Sequence, residues 1–221
     1  MSALRLENNF NIMNRKIFIP FIFLVLLFSV SCTNTASNRA ANSAEPAVTK
    51  GVKPVADNEI AVIEMEQPAY GTMKIELYSN VAPKMVAQFK ELARAGVYNG
   101  TTFHRVNPTL IQGGDPFSKD ADPTNDGTGS SDKPNVPAEF SDVPYDVGIV
   151  GAARTQDPNS ANAQFFITLK REPQFDNKYT VFGKVIEGLS NARTISGVNP
   201  KEGERPIENV TIKSISIQPK N

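Results

Sequence analysis

Residues 98–115 read YNGTTFHRVNPTLIQGGD, and this stretch decides the fold prediction. Runs of β-branched and aromatic residues at 101–106 and 109–112 predict two short strands that lie side by side. The first run carries Arg105, and the second ends on Gln112 followed by a glycine pair. We therefore expect a guanidinium and an amide to meet where glycines let another part of the chain approach closely.

On the amino side of this stretch, the sequence predicts a strand pair followed by a helix. Apolar residues alternate over 60–65 and again over 73–77, with turn-forming residues between the two runs. The helix is predicted from Pro83 to about residue 95, because apolar residues recur there at 3.6 spacing and Gly96 follows as a stop.

On the carboxyl side, short strand patterns are joined by loops and one more helix. The helix is predicted at 190–195, and a final strand at 210–217 needs a bulge near Lys213 because its alternation changes phase there. The other strand patterns lie at 147–152, 164–169 and 181–186. Many short strands with two helices predict a mainly β fold, a closed antiparallel barrel capped at its ends.

The composition argues against several classes of function. The 221 residues include 23 Lys+Arg and 23 Asp+Glu, so no net basic charge is available to hold a nucleic-acid backbone. With one cysteine and one histidine, the usual metal cages and His-containing triads lack most of their parts. We expect no metal, no cofactor and no nucleic-acid partner.

The first 31 residues have the pattern of a removable signal peptide. Arg15 and Lys16 precede an apolar run over 17–30, which is shorter than the roughly 20 residues that a membrane-spanning helix needs. Met1 and Met13 remain alternative starts of the chain, and the second gives the more compact signal.

Cys32 directly follows this run and resembles the lipid-carrying cysteine of bacterial lipoproteins. That resemblance implies a chain anchored by lipid to a bacterial membrane and facing away from the cytoplasm; an ordinary secretory signal is the alternative. Residues 32–58 are mostly small and polar, which predicts a flexible tether. The folded domain is predicted over 59–219.

Residues 115–137 are rich in Asp, Pro, Gly and Ser and show no periodicity. A calcium loop is conceivable from its acidic residues, but their spacing fails the twelve-residue pattern, so we predict a solvated surface loop.

The sequence also offers a second amide beside aromatic residues, at Gln164 to Phe166. No nucleophile with a matching base is evident from spacing, and His104 has no cysteine near it. An apolar pocket edged by fixed donors remains. Such a pocket suits binding, or catalysis by electrostatic positioning alone.

Five collinear motifs resemble the cyclophilin family of peptidyl-prolyl cis-trans isomerases. The similarity runs across about 59–218, and its five motifs together are far more specific than any one of them. The motifs are APKMVAQF at 82–89, YNGTTFHRV at 98–106, QGGD at 112–115, QFFI at 164–167 and VFGKV at 181–185. The family implies an eight-stranded antiparallel barrel with a helix covering each end.

The resemblance also implies roles for individual residues. Arg105 and Gln112 match catalytic positions, and His104 matches a structural core histidine. The matched substrate-binding positions are Leu110, Ala153, Arg154, Gln164, Phe166, Phe175 and Tyr179. Between Arg105 and Gln112 stand six residues where the family usually has seven, so Leu110 falls where a larger pocket pair is expected.

These features predict a monomeric peptidyl-prolyl cis-trans isomerase that acts on proline-containing exported polypeptides. Two alternatives remain open. The first is a catalytically weak cyclophilin-like binding or chaperone module tethered to a membrane. The altered 106–111 segment is the observation that supports it. The second is an unrelated exported lipoprotein that binds a small ligand in a barrel.

Overall fold

The computed structural model describes residues 45–199 and 202–220. The predicted signal peptide, Cys32 and the 33–44 part of the predicted tether lie outside these residues. Within them, no helix combines the length and the apolar character needed to cross a bilayer.

The described residues form short strands, two α-helices and several single-turn 3-10 helices. The helices are α1 (Pro83–Arg94) and α2 (Leu189–Ser196). The strands are β1 (Val48–Thr49), β2 (Glu59–Met65), β3 (Thr72–Leu77), β4 (Arg105–Val106), β5 (Leu110–Gly113), β6 (Phe140–Ser141), β7 (Ile149–Ala152), β8 (Phe165–Thr168), β9 (Val181–Glu187) and β10 (Ile212–Pro219). Both predicted helices and the predicted strands are confirmed within a few residues at their ends.

Eight of the strands form one curled antiparallel sheet in the order β10-β2-β3-β9-β7-β8-β5-β4. The predicted bulge in the last strand is confirmed, because the register between β10 and β2 shifts between Ile212 and Ser214. On β3, the alternate residues Met73, Ile75 and Leu77 are completely buried, as the period of two requires.

The prediction of a closed barrel is wrong in one respect, since the edge strands β4 and β10 share no ladder in the described part of the chain. They approach at an isolated bridge between Thr102 and Thr211. Around it, backbone amides of Gly100, Phe103 and Ile212 donate to carbonyls across the gap at 2.7–2.9 Å. These hydrogen bonds link the chain just before β4 to the start of β10, whereas β4 itself pairs only with β5 among the described strands.

A cluster of aromatic rings fills the interior of the curled sheet under α1. Phe165 of β8 lies edge-on to Phe89 of α1, with ring centroids 5.7 Å apart, and to Tyr98 at 5.9 Å. Phe103 and Phe182 complete the cluster at 6.1 Å from Phe165 and 5.2 Å from Phe89, respectively. All five side chains are fully buried, so this cluster is the centre of the hydrophobic core.

Residues 45–58, here called the N-terminal strap, belong to the segment predicted as a tether and lie against the strands and α1 of the domain. β1 pairs in parallel with β6. The Asp57 carboxylate accepts hydrogen bonds from the Ser79 hydroxyl and the Lys90 ammonium, both at 2.6 Å. Burial opposes the charge of Asp57, but these bonds outweigh it and lower its pKa.

The strap also has an apolar side. Val52 and Ala56 pack against the buried cluster around Tyr145 and Phe166. This order was not predictable from the sequence, because the strap has few apolar residues and its partners are distant in the chain.

We expect a chain that starts at residue 59 to be less stable than one that starts at residue 45. The shorter chain loses the Asp57 hydrogen bonds and the strap's apolar contacts, which together stabilise the fold by about 2 kcal/mol. Thermal unfolding would then show a melting temperature lower by roughly 5 °C. As a control, Val55→Ala in the longer chain should leave it unchanged, since Val55 is 63% exposed. Equal melting temperatures for the two chain lengths would contradict a stabilising strap.

Candidate active site

Four neighbouring strands place Arg105, Gln112, Phe166 and Gly151 in one row across the sheet. Arg105 pairs directly with Gln112, Gln112 with Phe166, and Phe166 with Gly151. Directly paired residues point to the same face of a sheet. Their chain neighbours point to the other face and are buried in the core: Val106, Ile111 and Phe165. The row therefore lies on the outer face of the sheet.

An aromatic cluster surrounds Phe166 at one end of this row. Tyr145 stacks on it with ring centroids 5.6 Å apart, while Phe175 and Tyr179 meet its edge at 5.5 and 5.7 Å. Leu110 belongs to the same cluster. Phe166 is 4% exposed and Leu110 3%, so the half-buried Phe175 and Tyr179 form most of the surface that a ligand would meet.

Gly151 gives this cluster the space that it needs. A Cβ atom built on Gly151 would collide with the ring of Phe166 and would lie 2.7 Å from the Tyr145 hydroxyl oxygen. Only glycine leaves room for the two stacked rings at this point of β7.

Two glutamines lie side by side next to the aromatic cluster. The Gln112 amide donates to Gln164 Oε1 at 3.1 Å. Gln164 in turn donates to the carbonyls of Gly127 and Gly129, at 3.1 and 2.9 Å. In this arrangement Gln164 orients Gln112 and fastens a loop, in addition to the substrate contact predicted for it.

The loop held by Gln164 is the Asp-rich segment over 115–137. It is held by more hydrogen bonds to the rest of the chain than we expect of a solvated surface loop. Asp115 at its start is fully buried, and its carboxylate accepts from the backbone amides of Phe117, at 2.8 Å, and Gly127. These bonds and those of Gln164 bring residues 127–129 to the edge of the site.

Gln112 separates two grooves. One has a volume of about 280 Å³ and is lined by Gln164, Ala153, Arg154 and the loop residues 127–130. The other, of about 430 Å³, lies on the side of Arg105.

Arg154 and Ala153 form the wall opposite the glutamines. The backbone amide of Ala153 donates to the carbonyl of Gln164 at 3.0 Å. The Arg154 guanidinium lies 4.4 Å from the centre of the Tyr179 ring and donates to the Lys178 carbonyl at 2.9 Å. This cation–π contact fixes one rim of the aromatic cluster.

Arg105 extends from the edge strand with 45% of its side chain exposed. Its Nε donates to Glu204 Oε2 at 2.6 Å, and the Asn107 amide donates to Glu204 Oε1 at 3.0 Å. Burial works against the charge of Glu204, but these two partners prevail and lower its pKa.

His104 is 6% exposed and faces the interior side of the same strand region. Burial lowers its pKa, and the nearby carboxylates of Asp115 and Asp126 only partly oppose this effect. Its burial agrees with the structural role expected for it, but neither ring nitrogen has a hydrogen-bond partner within the described residues.

The structure brings all nine predicted catalytic and substrate-binding residues into this one region. Sequence reasoning missed Glu204, Asn107, Tyr145 and Gly151. Glu204 carries no sequence signal, since it lies 99 residues from Arg105. Tyr145 and Gly151 act through packing that only the register of the strands reveals.

Comparisons with known proteins agree with this geometry. The family model "Cyclophilin type peptidyl-prolyl cis-trans isomerase/CLD" matches residues 61–217. A probable peptidyl-prolyl cis-trans isomerase of Brucella suis is 48% identical over 124 residues, which is 54% of this chain and 63% of that protein. The match thus spans less than two thirds of that relative. A peptidyl-prolyl cis-trans isomerase of Schizosaccharomyces pombe is 37% identical over 68% of this chain and 96% of its own length.

Solved structures share the fold. A Cryptosporidium parvum cyclophilin-type peptidyl-prolyl cis-trans isomerase, crystallised in the presence of the dipeptide Ala-Pro, is 31% identical with a TM-score of 0.65 and covers 73% of this chain and 99% of its own. A cyclophilin from Hirschia baltica is 25% identical with a TM-score of 0.60, over 74% of this chain and 75% of its own. With the family model spanning the whole curled sheet and both helices, this chain belongs to the cyclophilin-type peptidyl-prolyl cis-trans isomerase family.

Proposed function

We propose that this chain accelerates the cis-trans rotation of X-Pro bonds in polypeptides. The observation that carries the proposal is the row in which Arg105 and Gln112 lie beside the Phe166 aromatic cluster on an open sheet face. The family membership and the names of the relatives support it.

The reaction needs no covalent step. Rotation about the X-Pro bond destroys amide resonance, at a barrier of about 18–20 kcal/mol. As resonance fades, the prolyl nitrogen regains its lone pair and becomes a hydrogen-bond acceptor. A guanidinium beside it binds the twisted amide more strongly than either planar isomer, which lowers the barrier.

In this scheme Arg105 donates to the twisted amide, and its planar group makes the bond directional. The proline ring packs on Phe166, Leu110 and Phe175, with Tyr179 at the rim. Gln112 and Gln164, with the backbone of Ala153 and Arg154, hold the flanking peptide so that only one side of the bond rotates.

We expect Arg105→Ala to lower kcat/KM by roughly one hundredfold, because it removes the donor that acts only in the transition state. A protease-coupled assay with a proline-containing peptide measures the effect on the chain from residue 45. Arg105→Lys should keep the charge but lose the planar fork, and so give an intermediate rate.

Arg193→Ala serves as the matched control, since it removes an exposed arginine that belongs to α2 and not to the row. Wild-type activity that survives Arg105→Ala would contradict the mechanism. A wild-type chain that binds proline peptides but does not accelerate rotation would favour the alternative of a cyclophilin-like binding or chaperone module.

We also expect kcat/KM to be independent of pH between about 6.5 and 9. The single imidazole of the chain has a pKa lowered by burial, so it stays neutral above the ordinary histidine value of about 6.5. Guanidinium groups in general carry their charge throughout this range. Rates measured in buffers of constant ionic strength test this. A bell-shaped profile centred in that range would show that an acid–base step limits the reaction.

We further propose that the isomerase is a monomer tethered outside the cytoplasm of a bacterial cell by lipid on Cys32, with exported polypeptides as substrates. The support is sequence alone: the apolar run over 17–30 followed directly by the single cysteine. Acyl chains bind membranes additively, and one chain anchors only marginally, so stable anchoring needs more than one.

Replacement of the cysteine tests this anchor. We expect the full-length wild-type chain to fractionate with membranes and Cys32→Ser to lose most of that association, because serine offers no thiol for lipid attachment. Mass spectrometry of the amino-terminal peptide should show an acylated Cys32. An unmodified cysteine, or a Cys32→Ser chain that still fractionates with membranes, would contradict the proposal.

A further inference from the structure

Glu204 is bound on both carboxylate oxygens by residues of a distant hairpin. Oε2 accepts from Arg105 Nε at 2.6 Å and Oε1 accepts from the Asn107 amide at 3.0 Å. Both donors belong to β4 and the turn after it, whereas Glu204 precedes β10. The bond to Nε engages only one side of the guanidinium, so the two terminal nitrogens are left to other partners.

Asn107 ties this contact to the shape of the turn. Its Oδ1 accepts from the backbone amides of Thr109 and Leu110 at 2.8 and 2.9 Å. One side chain therefore shapes the turn that carries Leu110 and at the same time holds Glu204. The turn is the segment that is one residue shorter than the family pattern.

The backbone of Glu204 is in an unusual conformation. Its φ is +68°, in the left-handed region that residues with a Cβ atom rarely adopt. Such a conformation persists where surrounding contacts impose it, and it concentrates at functional sites. Here the imposing contacts are those to Arg105 and Asn107.

The neighbouring cation, Arg205, is bound to residues other than Glu204. Arg205 donates to Asp126 at 2.5 Å and to Asn209 at 3.1 Å. Arg105 is thus the cation that faces the Glu204 carboxylate. The hydrogen bonds from Arg105 and Asn107 lower its pKa despite its burial, and it is ionised at neutral pH.

We infer that Glu204 is a positioning residue that fixes the Arg105 guanidinium for the rotation of the X-Pro bond. The inference rests on the proposed isomerase function. Arg105 stands on a two-residue edge strand with nearly half of its side chain exposed, so it has many rotamers to lose when it meets a substrate. The ion pair with Glu204 restricts these rotamers before the substrate binds. It therefore raises the fraction of molecules whose guanidinium is placed to stabilise the twisted amide.

The test compares two variants of Glu204 with a neighbouring control. Glu204→Gly removes the carboxylate and adopts the positive φ without strain. We expect a roughly tenfold fall in kcat/KM, in kcat rather than KM, because the lost interaction matters mainly in the transition state. Glu204→Gln keeps an acceptor without the charge and should lose about threefold. Glu208→Gln, an exposed acid of the same segment, should match wild type.

Two readouts separate positioning from a merely structural role. In an Arg105→Ala background, Glu204→Gly should have no further effect on kcat/KM, because Glu204 acts through that arginine. In nitrogen-15 NMR spectra without substrate, the Arg105 Nε–H signal should stand apart from those of exposed arginines and return to them in Glu204→Gly.

The outcomes are distinguishable. A Glu204→Gly chain as active as wild type or more so, or one whose effect persists fully without Arg105, would overturn the positioning role while the isomerase function stands. An inactive wild-type chain would overturn both, whatever the NMR signal of Arg105 shows.

Discussion

The pleat of β8 is the constraint on which the rest of the structure depends. Because successive residues of a strand face opposite sides, Phe165 points into the core and Phe166 to the outer face. Phe165 joins the rings that hold α1 to the sheet, and Phe166 is the ring around which the site is built. The register of β8 therefore determines both the packing of the core and the position of the site. A slip of one residue would exchange the two and lose both.

Much of the fold was predictable because it depends on local periodicity. The alternation in β2 and β3, the apolar stripe of α1 and the bulge in β10 are all visible in the sequence and are confirmed. Two features were not predictable. Closure depends on pairing between the edge strands β4 and β10, and the order of the N-terminal strap depends on Ser79 and Lys90; in both cases the partners are far apart in sequence.

The candidate site divides in the same way. Arg105, Gln112 and Gln164 could be predicted because they lie in compact motifs on adjacent strands, and the structure brings them together. Tyr145 and Gly151 belong to none of the sequence motifs that pointed to function, although Gly151 falls within the strand predicted at 147–152. Their importance comes from ring stacking and from the absence of a Cβ atom, both of which depend on three-dimensional contact. Glu204 is the least predictable of these residues, since it meets Arg105 only when two segments 99 residues apart have folded together.

The Arg105–Glu204 ion pair also has a structural role, because it lies at the gap between β4 and β10. One partner stands on each side of the gap, so this ion pair and the Asn107–Glu204 hydrogen bond add to the one bridge and the few backbone hydrogen bonds that join the two edges. Regions with few such bonds open locally at lower free energy than the rest of a protein. Within the described residues, Arg105 and Glu204 therefore stabilise the place where the two edges of the eight-stranded sheet meet without a ladder.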